Sequence, residues 1–281
     1  EFLIGVTQFF RDPDAFAALQ STVIPQLLMH KSAEDPIRIW VPACATGEEV
    51  YSIAILVREA MEHQGTALKA QIFGTDVDDA AVAIARAARY SKMDGVTRER
   101  IERWFIEDGD EYRPVPEIRE MCIFSTHSVV KDPPFSKLDL ISCRNLLIYL
   151  ENGLQDRLMQ TFHYALRPGG YLYLGQSESI TRKTNLFATI DKKHRIFQRR
   201  EASGAAPEFL MAAPAVKAQA GPVPTPTAPR IQDPVDIEVR RVVEKYSPAY
   251  VVIDGQHDIL RFSGGDVGRY LEPSPGTASL N

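Results

Sequence analysis

Between residues 37 and 174 the hydrophobic pattern switches repeatedly from short apolar runs to a helical period. Ile37-Arg38-Ile39-Trp40-Val41 reads as a strand; after a turn at Pro42 to Gly47, a helix is expected from Glu48 to about Met61. Val50, Ile53, Ala54, Val57 and Met61 would share one face of it. A strand at Ala70 to Gly74 precedes a helix from Asp79 to about Arg89, with Asp78 placed to cap it. Further strands are expected at Cys122 to Ser125, Asp139 to Ser142 and Tyr171 to Leu174. A helix over about Gly153 to Leu166 should stop at Arg167-Pro168-Gly169-Gly170. Alternation of this kind predicts a doubly wound α/β fold, a parallel sheet covered by helices on both faces. Leu186 to Ile190 and Arg195 to Arg199 leave no room for a helix between them, so they predict an antiparallel hairpin at the sheet edge. Trp104 to Val115, with Asp108-Gly109-Asp110 at its centre, predicts a small inserted hairpin at about 104–116, too short and polar for the main sheet.

The rhythm ends near Arg200. Residues 202–234 carry seven prolines and nine alanines and few large apolar side chains, the composition of a linker. The expected organisation is therefore a body over residues 1–201, a Pro/Ala-rich linker over 202–234 and a further segment over 235–281. A chain of 281 residues, 44% hydrophobic and 25% charged, fits about two globular domains. Its net charge of −5 argues against non-specific nucleic-acid binding, which needs clustered positive charge. Three cysteines without CxxC spacing, and histidines without HExxH spacing, give no reason to expect a disulfide framework or a metal. With no signal-like start and no apolar run of membrane-spanning length, a cytoplasmic protein without membrane insertion is expected.

The chemistry gathers at strand ends. The first strand runs into Ala43-Cys44-Ala45-Thr46-Gly47-Glu48-Glu49, whose small residues let a ligand approach the backbone at the carboxyl edge of the sheet. The second ends in Gly74-Thr75-Asp76, and a carboxylate there can accept both hydroxyls of a ribose. A small-residue loop also occurs in plain α/β proteins, and a strand-terminal Asp is often only a helix cap. Glu48 and Glu49 would repel a pyrophosphate, so a ligand carrying an ammonium or sulfonium suits this loop better than a dinucleotide.

Together these stretches resemble the chemoreceptor glutamate methyltransferases, the CheR-type enzymes of bacterial chemotaxis. The resemblance rests on Thr7-Gln8-Phe9-Phe10-Arg11, Ala43 to Ser52, Gly74 to Asp78, Ile141 to Leu150, and Leu166 to Gly170 leading to Gly175-Gln176-Ser177-Glu178. Over roughly residues 1–200 it implies a Rossmann-like S-adenosylmethionine (SAM) methyltransferase domain, with S-adenosylhomocysteine as the cofactor product. It implies cofactor contacts from Thr7, Arg11, Glu48, Asp76, Ser128, Val129, Arg144 and Asn145, with Arg11 also a candidate for orienting substrate or cofactor. Gly5 stands where the family usually has Asn, and Ser128-Val129 where it often has Asn-Leu. The implied reaction is methyl transfer to glutamate side chains in the cytoplasmic helical bundle of methyl-accepting chemotaxis receptors, forming methyl esters. A SAM-binding signalling module without catalysis and a small-molecule methyltransferase are the alternatives.

Plainer roles stand beside these. Arg11 could pair with Asp12 or Asp14, Arg144-Asn145 could merely begin a turn, and Tyr149 could pack beneath the site. His127 reads as a loop histidine, and Cys44 and Cys143 as packing residues. The inserted hairpin matches the family's small receptor-contacting β subdomain, and its short turn predicts an enzyme that needs no tethering peptide. Past the linker, an amphipathic helix at Asp236 to Tyr246 and a strand, turn and strand over Ala249 to Phe262 resemble the opening of a PAS sensor domain.

Overall fold

A computed structural model describes residues 7–29, 31–32, 34–178, 185–201, 251–253 and 259–262. Five parallel strands form the heart of the main sheet: β1 (Ile37–Pro42), β2 (Ala70–Asp76), β5 (Cys122–Thr126), β6 (Leu138–Cys143) and β7 (Leu166–Leu174). β8 (Phe187–Asp191) and β9 (Ile196–Arg199) complete it in the order β5-β2-β1-β6-β7-β9-β8. β9 runs antiparallel to both β7 and β8, which makes the edge hairpin the sequence predicts. The order reverses at β1, so the ends of β1, β2 and β6 flank the switch point where open α/β sheets bind ligands.

Side chains alternate along β1: Ile37, Ile39 and Val41 join one buried cluster and Trp40 the other, so both faces are covered. The first cluster takes in α3 (Glu48–His63) through Val50, Ile53, Ala54 and Val57; the second takes in α7 (Asn152–Ala165) through Leu158, Met159, Phe162 and Ala165. α4 (Asp79–Ala87) follows β2, and Asp78 caps it by accepting the Ala80 N–H at 2.9 Å.

Several details differ from the sequence expectation. Residues 13–29, for which no element is expected, form α1 (Pro13–Ala18), a π turn (Leu19–Val23) and α2 (Ile24–Met29). Pro25 explains the π turn: it brings no N–H and crowds the carbonyl four residues back, and a widened turn relieves both. Trp104, expected in a strand, ends α5 (Arg98–Trp104). The inserted hairpin is then β3 (Phe105–Asp108) with β4 (Glu111–Pro114), a sheet of its own, followed by the short α6 (Pro116–Arg119). α7 stops at Ala165, and Leu166 already pairs with Leu138. Arg167 to Gly170 bulge out of the ladder before Tyr171 pairs with Leu140, so the Pro-Gly run interrupts a strand instead of closing a helix.

The chain divides into two units, Glu1–Ala215 and Val216–Asn281. In the second, β10 (Val251–Ile253) and β11 (Ile259–Phe262) pair antiparallel, with Val251 opposite Phe262. The linker over 202–234 and the helix at Asp236 to Tyr246 lie outside the described residues. Among the described residues no helix is long and apolar enough to cross a membrane.

Candidate active site

The loop leaving β1 is built from unusual backbone. Ala43 and Ala45 have φ of 55° and 46°, and Gly47 has φ of 93°. Left-handed conformations cost a non-glycine residue roughly 1–2 kcal/mol each, and small side chains are what such a loop tolerates. At Gly47 even a Cβ would lie 2.8 Å from that of Ala85, so only glycine fits. The reward is a backbone turned toward β2: Cys44 N–H donates to the Thr75 carbonyl at 3.0 Å, and Ala45 N–H to Asp76 Oδ2 at 2.8 Å.

Asp76 Oδ1 accepts the Asp78 N–H at 3.0 Å. Both carboxylate oxygens are thus oriented by one amide each, and each keeps room to accept another hydrogen. Asp78, not Asp76, performs the helix capping, so the capping role does not account for Asp76. Glu48 is largely buried, and that burial raises its pKa above the usual carboxylate range although Thr46 donates to its Oε2 at 2.7 Å. Its neighbour Glu49 turns inward, accepting from Ser142 Oγ at 2.6 Å and Arg144 Nη1 at 3.3 Å.

The segment Thr7 to Arg11 lies against the amino end of α3. Phe10 N–H donates to Ser52 Oγ at 3.0 Å, and Ser52 donates to the Glu48 carbonyl at 2.7 Å. Phe9 and Phe10 are buried, Thr7 and Arg11 half-buried. Of the two acids offered as partners of Arg11, Asp12 binds Arg144, whose Nη2 donates to it at 2.5 Å. Gly5 lies outside the described residues.

Arg144 differs most from its sequence expectation. Expected among the cofactor contacts, its side chain is only 1% exposed and is enclosed by protein. Desolvation opposes its charge, but Glu49, Tyr173 and Asp12 outweigh that and raise its pKa above the ordinary arginine value. Asn145 follows in left-handed backbone, φ 59°, half-buried at the same edge. Glu178 holds this turn: its carboxylate is buried and accepts the N–H groups of Leu147 and Gly175, each at 2.7 Å. Burial raises the Glu178 pKa, while amides including those of Asn145 and Leu146 act to lower it. In the sequence Glu178 stands only as the end of the Gly175-Gln176-Ser177-Glu178 stretch, and its place four residues past β7 is the local signal that marks it.

Beyond β5, Ser128 N–H donates to Asp132 Oδ2 at 2.7 Å, and Val129 packs against the second core cluster. His127 lies edge-on to Trp40, with Nε2 3.0 Å from the Pro133 carbonyl oxygen. Tyr149 does not pack beneath the site: it is 52% exposed on a 3-10 turn, Leu147–Tyr149. Cys44 and Cys143 are buried, and desolvation pushes both thiols up, leaving them inert packing residues. Among the described residues no group of three or more His, Cys, Asp or Glu could hold a metal ion.

The acceptor set fits an adenosine-linked cation. A strand-end carboxylate with spare acceptor capacity suits ribose hydroxyls, and a second, desolvated acid suits a positive group; neither suits a phosphate. Residues 5–196 match the family described as CheR methyltransferase, SAM binding domain. The chain is 36% identical over 288 residues to an "Uncharacterized 104.1 kDa protein in hypE 3'region" of Rhodobacter capsulatus, covering 100% of this chain and 29% of that protein. It is 35% identical over 179 residues to a "Chemotaxis protein methyltransferase" of Listeria innocua, covering 63% of this chain and 66% of that one. The solved "DhpI-SAH complex structure" superposes with a TM-score of 0.37 and 12% identity over 72% of this chain and 73% of that one.

Proposed function

The chain belongs to the CheR methyltransferase family, with residues 5–196 its SAM-binding domain, and from that premise we propose a protein-glutamate O-methyltransferase acting on methyl-accepting chemotaxis receptors in the cytoplasm. The observation that carries the reading is Asp76, oriented by the Ala45 and Asp78 amides while Asp78 does the capping. Bound SAM supplies a methyl carbon activated by a sulfonium. Asp76 would hold the ribose hydroxyls, and Glu48 would accept a cationic group. Ser128, Val129 and Asn145, which follow the ends of β5 and β6, and Thr7, two residues before the buried Phe9, would supply further cofactor contacts. A glutamate acceptor is ionised at neutral pH, its reference pKa being about 4.3, so no general base is required. The protein's task reduces to alignment and exclusion of water, and Arg11 would orient the incoming carboxylate or the cofactor. Loss of one negative charge per ester would alter repulsion along a receptor helix. The β3–β4 hairpin supports receptor contact, and its two-residue Gly109-Asp110 turn supports an enzyme that needs no tethering peptide.

The test is transfer of labelled methyl from SAM to a receptor cytoplasmic fragment, followed by mild base. Release of the label supports an ester; label that survives base points to N- or S-methylation and sinks the assignment. In parallel, Asp76→Ala should weaken S-adenosylhomocysteine binding by roughly tenfold or more in titration calorimetry, the loss expected for hydrogen bonds to a charged group.

A further inference from the structure

Arg144 joins three parts of the chain that are far apart in sequence. Nη2 donates to the Arg11 carbonyl at 3.0 Å and to Asp12 Oδ2 at 2.5 Å, while Nη1 reaches Glu49 Oε2 at 3.3 Å. Its guanidinium carbon lies 4.9 Å from the Tyr173 ring centroid and 5.3 Å from that of Phe16. Asp12 occupies the position before α1 where an Asp normally caps, yet it makes no side-chain cap there and adopts φ of 62°. Its carboxylate has been given to Arg144 instead. Glu49 is likewise committed, and the adjacent Glu48 takes no part in the network.

We propose that Arg144 is a positioning residue whose buried guanidinium latches the Thr7–Asp12 segment onto the amino end of α3, shaping the cofactor site without touching the cofactor. A planar fork can serve acceptors on two segments while packing against the edge-on pair Phe16 and Tyr173; a lysine offers a point charge. The latch acts on function because the segment it holds carries Thr7 and Arg11, and the helix end it grips carries Glu48. The inference rests on the methyltransferase reading.

The experiment compares the unaltered full chain with Arg144→Lys, Asp12→Asn and the double variant. Asp12, with its side chain 31% exposed, can lose its charge without opening the core, which keeps the test valid if Arg144→Lys fails to fold. Asp12→Asn is expected to speed amide exchange over residues 8–16 roughly tenfold, leave β7 and α7 unchanged, and weaken S-adenosylhomocysteine binding about fivefold. The double variant should be hardly worse than Arg144→Lys alone, as for two ends of one interaction. Exchange and affinity both unchanged in Asp12→Asn, or strictly additive effects, would overturn the latch while leaving the methyltransferase reading intact. An unaltered chain that does not bind S-adenosylhomocysteine would remove that reading, and the latch's bearing on cofactor with it.

Discussion

Glu48 and Glu49 are neighbours at one helix end, yet the fold gives them opposite tasks: Glu49 neutralises a buried arginine, and Glu48 is desolvated with a single threonine hydroxyl as side-chain donor. Burial raises the Glu48 pKa above its usual value, so the folded protein holds that proton more tightly than the unfolded chain. Stability is therefore lost as pH rises through the folded value, and any binding that needs the charge is gained over the same range. Glu48→Gln, which keeps an acceptor for Thr46, should raise neutral-pH stability by about 1 kcal/mol in urea unfolding, as functional-site relaxations commonly do. It should also weaken S-adenosylhomocysteine binding roughly tenfold, through loss of a charged partner for the ligand ammonium. The unaltered protein should lose affinity as pH is lowered from neutrality and Glu48 takes up its proton, and the variant should lose much less. Equal slopes for the two would show that Glu48 is not the titrating contact. The strand-end position of Asp76 was legible because the apolar run before Gly74-Thr75 marks β2 and its end. The burial of Arg144 was not, because its partners lie 132 and 95 residues away and no local pattern encodes such a meeting.

At the scale of elements, what was legible followed from period, and what was missed followed from breaks in it. α3 and α4 carry clean apolar stripes and appear within a few residues of expectation. The α1–π–α2 stretch has its period disturbed by the widened turn ahead of Pro25, so neither a helical nor a strand template fits it. Tyr149 was misplaced because a three-residue 3-10 turn has too few residues to show which side faces water. The cap of α4 matters beyond its helix: Asp78 N–H also orients Asp76, so the turn between β2 and α4 serves both structure and site. Asp78→Ala keeps that amide and removes only the cap. It should cost about 1 kcal/mol of stability in urea unfolding. Ligand affinity should change less than twofold, since the backbone donor to Asp76 survives. A large affinity loss at unchanged stability would mean that the Asp78 carboxylate itself reaches the ligand.

For the whole molecule, the sheet order could be anticipated only as a class: alternating strands and helices imply a parallel sheet, but neighbour order is set by which crossovers bury the most surface, a non-local property. The structure places the reversal between β1 and β6; Asp76 ends β2, and the candidate residues Glu48, Ser128, Arg144 and Asn145 follow carboxyl ends of strands on that edge. Among the described residues the buried core runs from Phe9 to Phe197, and the family match ends at residue 196. Both lie inside the first unit, which closes at Ala215. Cofactor recognition should therefore be a property of that unit alone. Ending the chain after Glu201 is expected to leave S-adenosylhomocysteine affinity within twofold of the full chain, with a single cooperative urea transition reported alike by fluorescence and circular dichroism. A tenfold loss of affinity, or two separated transitions in the shortened chain, would mean that residues beyond 201 complete the site or its core.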